Sequence, residues 1–231
     1  MDDFFARSAA LLGEKTMEAL RSKRVIIFGV GGVGSYAAEA LIRTGLTHLT
    51  IVDGDTVQPS NLNRQLPATR ATLGMPKVEA LKARLLEINP EAEIEAINAF
   101  YHEPSAFSLQ LSDFDYIIDA IDSVNDKTDL ILYATRARVK IFSSMGAALR
   151  FDPTQVTTGE LMSIKGDALA KAVRARMKKL DRYPSKKVRC VYSVEQAQRC
   201  ETRGSLMQVT AVFGLTLASL VISDITNQAK L

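Results

Sequence analysis

A glycine-rich turn with a carboxylate after it is the first part of the sequence that could do chemistry. Gly29, Gly31 and Gly34 satisfy the pattern G-x-G-x-x-G, with a further glycine at Gly32. Residues without a Cβ allow a tight turn and let backbone amides approach phosphate oxygens at the start of a helix. Asp53 is placed to hydrogen-bond a ribose hydroxyl. These residues indicate a nucleotide but leave NAD, FAD and ATP equally open.

The polar residues that follow favour cleavage of a nucleotide over hydride transfer. Arg64 and Lys77 can hold β- and γ-phosphates, and Asp122 can hold a magnesium ion. Hydride transfer needs no such cations beyond the glycine turn, whereas attack on an α-phosphate with pyrophosphate leaving does. Lys77 could instead be a helix-surface lysine and Asp122 a helix N-cap, so the prediction depends on their occurring together. The remaining polar candidates for binding the nucleotide are Asp55, Asn61, Asn63 and Gln65.

Strand and helix patterns alternate around these residues. An apolar run over Arg24–Gly29 precedes the glycine turn, a helix over Ser35–Thr44 follows it, and Leu49–Val52 is the next predicted strand. The other predicted elements are two short helices over 4–22, helices over Pro76–Asn89 and Asn125–Arg138, and strands over Ala92–Phe100, Tyr116–Ala120, Lys140–Ala148 and Cys190–Ser193. The predicted fold class is α/β, a doubly wound, mostly parallel, Rossmann-like sheet with a C-terminal helical extension. Ligands are expected at the carboxyl ends of its strands.

The composition is typical of a globular protein with one sizeable core. The chain has 231 residues, 47% of them hydrophobic, and a formal net charge of +3, which does not by itself imply a polyanionic partner. Its two cysteines, Cys190 and Cys200, provide no disulfide framework and fit a reducing compartment. The N-terminal residues lack the basic and apolar regions of a secretory signal. We therefore expect a cytoplasmic protein.

One apolar stretch, Leu206–Ile225, is about long enough to cross a bilayer. Polar residues such as Gln208, Thr216 and Asp224 interrupt it, and no basic flank follows immediately. A buried or interface helix, starting near Gly204, is therefore expected, without stable insertion into a membrane.

Five separated motifs resemble the ubiquitin-activating-enzyme-like family, over about residues 4–148. They are Gly29–Gly34, Asp53–Asp55, Ser60–Gln65, Lys77 and Asp119–Asp122. The resemblance implies a homodimer that binds ATP with magnesium and adenylates a carboxylate. By position, it assigns contacts with ATP or its magnesium to Gly32, Asp53, Asn61, Arg64, Lys77 and Asp122.

Arg7 gains a role only from this resemblance. Its spacing among apolar residues indicates a solvated surface arginine. In the family, however, an arginine at the matching position reaches across the dimer into the partner's ATP site. The resemblance therefore implies a catalytic role for Arg7.

The second half of the chain resembles one branch of that group, the tRNA threonylcarbamoyladenosine dehydratases, more than the activators of sulfur carriers. Those activators usually carry two CxxC zinc pairs and a catalytic cysteine, and this chain has no CxxC pair, so no structural zinc is expected. With Asp152–Gln155 and Arg189–Glu195, the resemblance extends to nearly the whole chain. It implies ATP-dependent activation of the threonyl carboxylate on a modified adenosine next to the anticodon, followed by ring closure.

A basic stretch, Lys165–Arg189, becomes a candidate contact with tRNA under this interpretation. It carries ten Lys or Arg residues against two Asp, and such a stretch binds phosphates with a strong dependence on salt. A solvated charged helix is the alternative. Lys171, Arg174, Lys178 and Arg182 share one helical face. The full set of candidate contacts is Lys171, Arg174, Lys178, Lys179, Arg182, Lys186 and Lys187.

Two other functions stay open. One is adenylation of the C-terminal glycine of a ubiquitin-like sulfur carrier, and the other is an adaptor that binds nucleotide and tRNA without turnover. A protein partner of the sulfur-transfer type and a bound monovalent cation are also open. Cys190 could be a nucleophile, a sulfur relay or a small buried residue, and its neighbours Val188 and Val191 favour burial.

The predicted organisation is a single ATP-binding adenylation domain over 1–231. Its parts are N-terminal helices over 1–22, a nucleotide-binding core over 23–148, a basic crossover segment over 149–190, and a returning strand with an apolar interface helix over 191–231. The crossover segment could be mobile.

Overall fold

One mixed sheet, covered by helices, organises the part of the chain that the computed structural model describes, which is residues 3–101, 110–198, 201–202 and 204–229. The strand order is β3-β2-β1-β4-β5-β7-β6. The strands are β1 (Arg24–Phe28), β2 (His48–Val52), β3 (Glu93–Ile97), β4 (Tyr116–Asp119), β5 (Lys140–Ser144), β6 (Val156–Glu160) and β7 (Arg189–Ser193). The helices are α1 (Ala6–Leu12), α2 (Glu14–Ser22), α3 (Gly34–Thr44), α4 (Lys77–Ile88), α5 (Val124–Arg136), α6 (Ala168–Leu180) and α7 (Met207–Ala229). The predicted fold class is confirmed.

The central strands end level with one another, and this places the candidate residues at one edge of the sheet. Phe28, the last residue of β1, is in register with Val52 of β2 and with Asp119 of β4. These three strands are parallel, and their apolar residues are buried on both faces. The glycine turn, the polar loop after β2 and the loop after β4 therefore leave the sheet side by side.

The other end of the sheet differs from the sequence prediction in two strands. The strand predicted over Lys140–Ala148 stops at Ser144. Met145 N still donates to Val191 O of β7 at 2.8 Å, but Gly146 N donates to the Asp167 carboxylate at 3.1 Å rather than to a neighbouring strand. The second difference is β6, an edge strand absent from the sequence prediction, which pairs antiparallel with β7 and is only half buried. Its residues, VTTGE, lack the apolar run that marks the buried strands.

The basic stretch contains a shorter helix than the shared helical face implies. Asp181 adopts a left-handed conformation with φ of 49°, and the Arg182 amide donates back to Met177 O at 3.1 Å, which ends α6 at Leu180. Arg182 therefore lies beyond the helix rather than on its face. The two short helices predicted over 4–22 are confirmed as α1 and α2, with Gly13 between them.

Helix α7 packs against α3 so closely that only glycine fits at one position. A Cβ on Gly214 would lie 2.2 Å from the Val33 carbonyl oxygen and 2.8 Å from the Tyr36 Cβ. The helix is long and apolar enough to cross a membrane, but its residues Phe213, Leu217 and Val221 belong to the hydrophobic core. The expected buried or interface helix therefore has one face in the core, and it begins at Met207 rather than near Gly204.

Candidate nucleotide-binding and catalytic site

A cavity of about 720 Å³ opens over the carboxyl ends of β1, β2, β4 and β5. Its size suits a nucleotide-sized ligand. It brings together most of the residues singled out in the sequence. Those that line it are Gly29, Gly31, Gly32, Asp53, Asp55, Arg64, Gln65, Lys77 and Asp122. Gly34, Asn61, Asn63 and Arg7 are not among the lining residues.

The glycine turn is shaped by close approaches between backbone segments. Gly29 has φ of +84°, and a Cβ there would lie 2.7 Å from the Ala120 carbonyl oxygen. A Cβ on Gly34 would lie 1.9 Å from the Gly29 carbonyl oxygen. Gly34 therefore packs the start of α3 against the turn, whereas Gly31 and Gly32 face the cavity. The turn can close only because Gly29 and Gly34 carry a hydrogen atom where other residues carry a Cβ.

Asp53 is fixed by two backbone amides at the end of β2. Its Oδ2 accepts from Val30 N at 2.8 Å and its Oδ1 from Asp55 N at 2.9 Å. Burial raises the pKa of Asp53 above its ordinary value, and attraction to Lys77 and the two amide bonds only partly offset this. The carboxylate thus ties the loop after β2 to the glycine turn, at the place where a ribose is expected.

Lys77 is not a surface lysine. Its side chain is 7% exposed, and Nζ donates to Asp55 Oδ2 at 2.6 Å. The backbone joins the same two residues, since Lys77 N donates to Asp55 O at 2.9 Å. The pair holds the ammonium group in the cavity wall, and its contact with phosphate stays a prediction. The helix-surface alternative for Lys77 is wrong.

Arg64 and its neighbours form a compact polar turn. Arg64 Nη1 donates to Ser60 O at 2.9 Å and to Asn63 Oδ1 at 2.8 Å. Asn61 is buried, and its Oδ1 accepts from Gln58 N at 3.0 Å. Asn63 Nδ2 donates to Ser205 O at 3.0 Å. In this structure, the two asparagines shape the loop that orients Arg64, and their predicted contacts with the nucleotide stay a prediction.

Gln65 completes this loop on the cavity side. Its side chain is buried, and Oε1 has no hydrogen-bond partner among the described residues. A Cβ built on Gly31 would lie 3.5 Å from the side-chain amide nitrogen of Gln65. A buried carbonyl oxygen without a donor is costly, so Gln65 fits the predicted contact with a ligand.

Asp122 stands exposed after β4, and capping of the next helix is not its role. Ser123 is the N-cap of α5, with its hydroxyl accepting from Asp126 N at 3.4 Å. The N-cap alternative for Asp122 is therefore wrong. The carboxylate lines the cavity, and an oxygen ligand in that position suits a magnesium ion shared with phosphate oxygens. Among the described residues, no cluster of three or more His, Cys, Asp or Glu could hold a metal by itself.

A buried ion pair supports this edge of the site, and sequence reasoning missed it. Lys127 Nζ donates to Asp119 Oδ2 at 2.6 Å, and the Ser143 hydroxyl donates to the same oxygen at 2.6 Å. Both charged side chains are 0% exposed. The other carboxylate oxygen accepts from Ile121 N at 3.1 Å, which shapes the turn that carries Asp122. The available signal was a lysine at a core position of α5.

Arg7 and all but one of the candidate tRNA contacts are exposed. Arg7 is exposed on α1. Arg174 is half buried, and its Nη1 donates to Leu161 O at 2.9 Å. The remaining basic candidates are all exposed: Lys171, Lys178, Lys179, Arg182, Lys186 and Lys187.

Cys190 is a buried residue of β7. It is 0% exposed, and burial raises the pKa of its thiol far above the ordinary value, more than the attraction to Lys127 lowers it. A thiol that resists deprotonation is a poor nucleophile. The geometry thus favours the buried interpretation of Cys190, while Cys200 lies outside the described residues.

Comparison with known proteins shows the family of the chain. The model of the ThiF family matches residues 5–231. The chain is 40% identical over 175 residues to the tRNA threonylcarbamoyladenosine dehydratase of Bacillus subtilis, covering 76% of this chain and 69% of that protein. It is 38% identical over 135 residues to the molybdopterin-synthase adenylyltransferase of Escherichia coli, covering 58% of this chain and 53% of that protein.

Solved structures extend the similarity to nearly the whole chain. The crystal structure of Escherichia coli tRNA N6-threonylcarbamoyladenosine dehydratase in complex with ATP has a TM-score of 0.90 and 33% identity, covering 99% of this chain and 96% of that one. The same Escherichia coli protein in complex with AMP has a TM-score of 0.91 with the same identity and coverage.

Proposed function

The chain belongs to the ThiF family, and on that premise we propose that it catalyses the ATP-dependent dehydration of threonylcarbamoyladenosine in tRNA, next to the anticodon. The observation that carries this proposal is the match over 99% of the chain to the ATP-bound Escherichia coli dehydratase. The similarity to an adenylyltransferase that serves molybdopterin synthase covers only 58% of the chain. Adenylation of a sulfur carrier is therefore the less favoured function.

The proposed reaction has two steps, adenylation and ring closure. A threonyl carboxylate oxygen attacks the α-phosphorus of ATP, and pyrophosphate leaves. The carbamoyl group then attacks the activated carbonyl carbon and gives up a proton to solvent, and AMP leaves with the former carboxylate oxygen, so that the nucleoside loses one water in total. The second step is intramolecular and gains from a high effective concentration. No protein thiolate is needed, in accord with the burial of Cys190.

Six of the residues that line the cavity have a role in the first step. Asp53 holds the ribose, and the turn at Gly31 and Gly32 lets backbone amides meet the phosphates. Arg64 and Lys77 stabilise the charge that develops on the pyrophosphate as it leaves. Asp122 would hold magnesium with the phosphates, and that ion supplies Lewis-acid stabilisation of the leaving group.

Several finer features belong to the proposal. The exposed lysines of α6 and of the turn after it contact tRNA phosphates, and Arg7 completes the ATP site of a second subunit in a homodimer. The enzyme acts in the cytoplasm. The parts of its single adenylation domain keep the division into N-terminal helices, nucleotide core, basic crossover and C-terminal helix. Binding of a monovalent cation and of a sulfur-transfer partner stays open.

A direct assay tests the proposal. The protein is mixed with ATP and tRNA bearing linear threonylcarbamoyladenosine, and the tRNA is digested and analysed by mass spectrometry. The nucleoside should become lighter by one water, with AMP and pyrophosphate formed in equal amounts. Arg64→Ala should lower kcat by roughly 100- to 1,000-fold, the usual cost of removing one group that stabilises transition-state charge.

The matched control is Arg43→Ala. Arg43 is an exposed arginine of α3 that pairs with Glu39, outside the cavity, and its replacement should leave kcat unchanged. Absence of any mass loss with folded wild-type protein would exclude this function. Equal rates for Arg64→Ala and wild type would exclude the proposed role of Arg64.

A further inference from the structure

Arg150 is a buried arginine in the cavity wall that the proposed reaction does not yet use. It is 3% exposed and lines the cavity on the side of β5. Its Nε and Nη1 atoms have no hydrogen-bond partner among the described residues. A guanidinium group cannot lose its charge in a protein. Buried donors of a charged group without acceptors are costly, which points to a ligand that supplies them.

Asp167 neutralises Arg150 only in part. The closest distance between them is 3.8 Å, from Arg150 Nη2 to Asp167 Oδ2, which is too long for a hydrogen bond. The carboxylate already serves two amides, since Oδ2 accepts from Gly146 N at 3.1 Å and Oδ1 from Ala170 N at 2.8 Å. Asp167 thus caps α6 and holds the loop after β5. Its charge attracts Arg150, but it accepts no hydrogen bond from the guanidinium group.

The backbone before Arg150 is held in an unfavourable conformation. Leu149 has φ of 62°, a left-handed conformation that is unfavourable for a residue with a Cβ. Two backbone hydrogen bonds hold it there: Leu149 N donates to Gly204 O at 2.9 Å, and Gln198 N donates to Leu149 O at 2.9 Å. Local strain that is held on both sides is typical of a functional position. Here it directs the following arginine inward.

The position of Arg150 separates it from the groups expected to hold ATP. The ribose and the triphosphate are assigned to residues after β1 and β2 and to Arg64 and Lys77. Arg150 follows β5, across β4 from β1 in the sheet order, yet it lines the same cavity. An acceptor must approach the α-phosphorus from the side opposite to the departing pyrophosphate, and the β5 side of the cavity lies away from Arg64 and Lys77, which follow β2.

We propose that Arg150 binds the carboxylate of the acceptor, the threonyl group on the modified adenosine, and presents it to the α-phosphorus. This inference rests on the proposed function. The guanidinium turns toward the cavity and exchanges its loose approach to Asp167 for two parallel hydrogen bonds to the carboxylate. Arg64 and Lys77 are already assigned to the phosphates, whereas no residue assigned so far binds the carboxylate of the acceptor.

The experiment measures binding of two tRNAs that differ only at the modified adenosine. Dissociation constants are measured for tRNA with linear threonylcarbamoyladenosine and for the same tRNA with plain adenosine, with a non-hydrolysable ATP analogue present. The affinity for the analogue alone is measured separately. The variants are Arg150→Gln, which removes the charge at similar length, Arg150→Lys, which keeps the charge but not the fork, and Arg43→Gln as the matched control.

The wild type should bind the modified tRNA more tightly, and Arg150→Gln should reduce that preference by roughly 10- to 100-fold, the usual effect of losing a charge-assisted pair. Arg150→Lys should restore part of it. Both variants should bind the ATP analogue as the wild type does, and Arg43→Gln should behave as wild type throughout.

Three results would overturn the assignment. Weaker binding of the ATP analogue with the preference intact would make Arg150 a nucleotide-binding residue. Equal weakening for both tRNAs would make it a contact with the tRNA backbone. An unchanged preference with unchanged analogue binding would leave Arg150 without a ligand. A wild type that shows the preference but no dehydration would contradict the proposed function and not this subsite.

Discussion

At the scale of single residues, Lys127 and Asp119 show how a charge is kept beneath the site. Both are fully buried and 2.6 Å apart, so removing one partner leaves the other charged and desolvated. We expect Lys127→Met to lower the free energy of unfolding by about 3–5 kcal/mol, as measured by denaturation in urea. Replacing both residues, Lys127→Met with Asp119→Leu, should recover most of that loss. A single variant as stable as the wild type would contradict this account.

The raised pKa of Asp53 predicts how stability depends on pH. Because the folded state holds this proton more tightly than the unfolded state, the contribution of Asp53 to stability is full below its unfolded pKa of about 3.9. It is lost as the pH rises through the folded pKa. The difference in unfolding free energy, wild type minus Asp53→Asn, should therefore shrink as the pH rises from about 4, measured in urea at several pH values.

Asp152 provides a control, because its contribution to stability should change with pH in the opposite direction. Hydrogen bonds from the side chains of Thr154 and Gln155 lower the pKa of this carboxyl. Its contribution is present above the unfolded pKa and is lost as the pH falls through the folded pKa. The difference between wild type and Asp152→Asn should therefore grow as the pH rises. The same trend for both aspartates would contradict the assignment of burial as the cause at Asp53.

At the scale of elements, the packing of α3 against α7 depends on the missing side chain of Gly214. A Cβ there would lie 2.2 Å from the Val33 carbonyl oxygen, so Gly214→Ala forces the helices apart. We expect the free energy of unfolding to fall by about 1–3 kcal/mol, seen as a lower midpoint of thermal unfolding. Gly204→Ala is the control, since a Cβ there meets nothing within 4 Å. Equal midpoints for the two variants would refute the close packing.

The elements that sequence patterns predict are those whose own residues carry the signal. β1 and β4 are short apolar runs because both of their faces are buried, and the glycine turn is visible because only glycine fits there. β6 carries no such signal, since an edge strand is fixed by its partner β7 rather than by its own burial. The roles of Arg150 and Lys127 were likewise hidden, because their burial depends on residues distant in the sequence.

At the scale of the whole molecule, the modest net charge conceals a basic surface. The exposed lysines of α6 and of the turn after it lie in the segment that connects β6 with β7. Replacing Lys178 and Lys179 by alanine should weaken binding of modified and plain tRNA alike. It should also reduce the slope of log K against log salt by about 0.7–0.9 for each phosphate that the variant no longer neutralises, measured by titration at several salt concentrations.

The control for this prediction removes the same charge elsewhere. Arg43→Ala with Lys82→Ala lowers the net charge equally, on α3 and α4. This pair should leave the salt slope unchanged. A similar reduction of the slope in both double variants would mean that overall charge, rather than the α6 surface, attracts tRNA.

The order of the strands has a consequence for how the protein is made. Among the described strands, β6 pairs with β7 alone, so it has no place in the sheet until the ribosome has released residues up to Ser193. Leu149, likewise, is held by Gln198 and Gly204, which are synthesised later. The ATP half of the cavity also waits for late residues, because Asn63 donates to Ser205 O and Gly32 lies against Thr210 of α7. Pairings so distant along the chain close slowly, and both halves of the cavity should become able to bind ligands only after α7 has been synthesised.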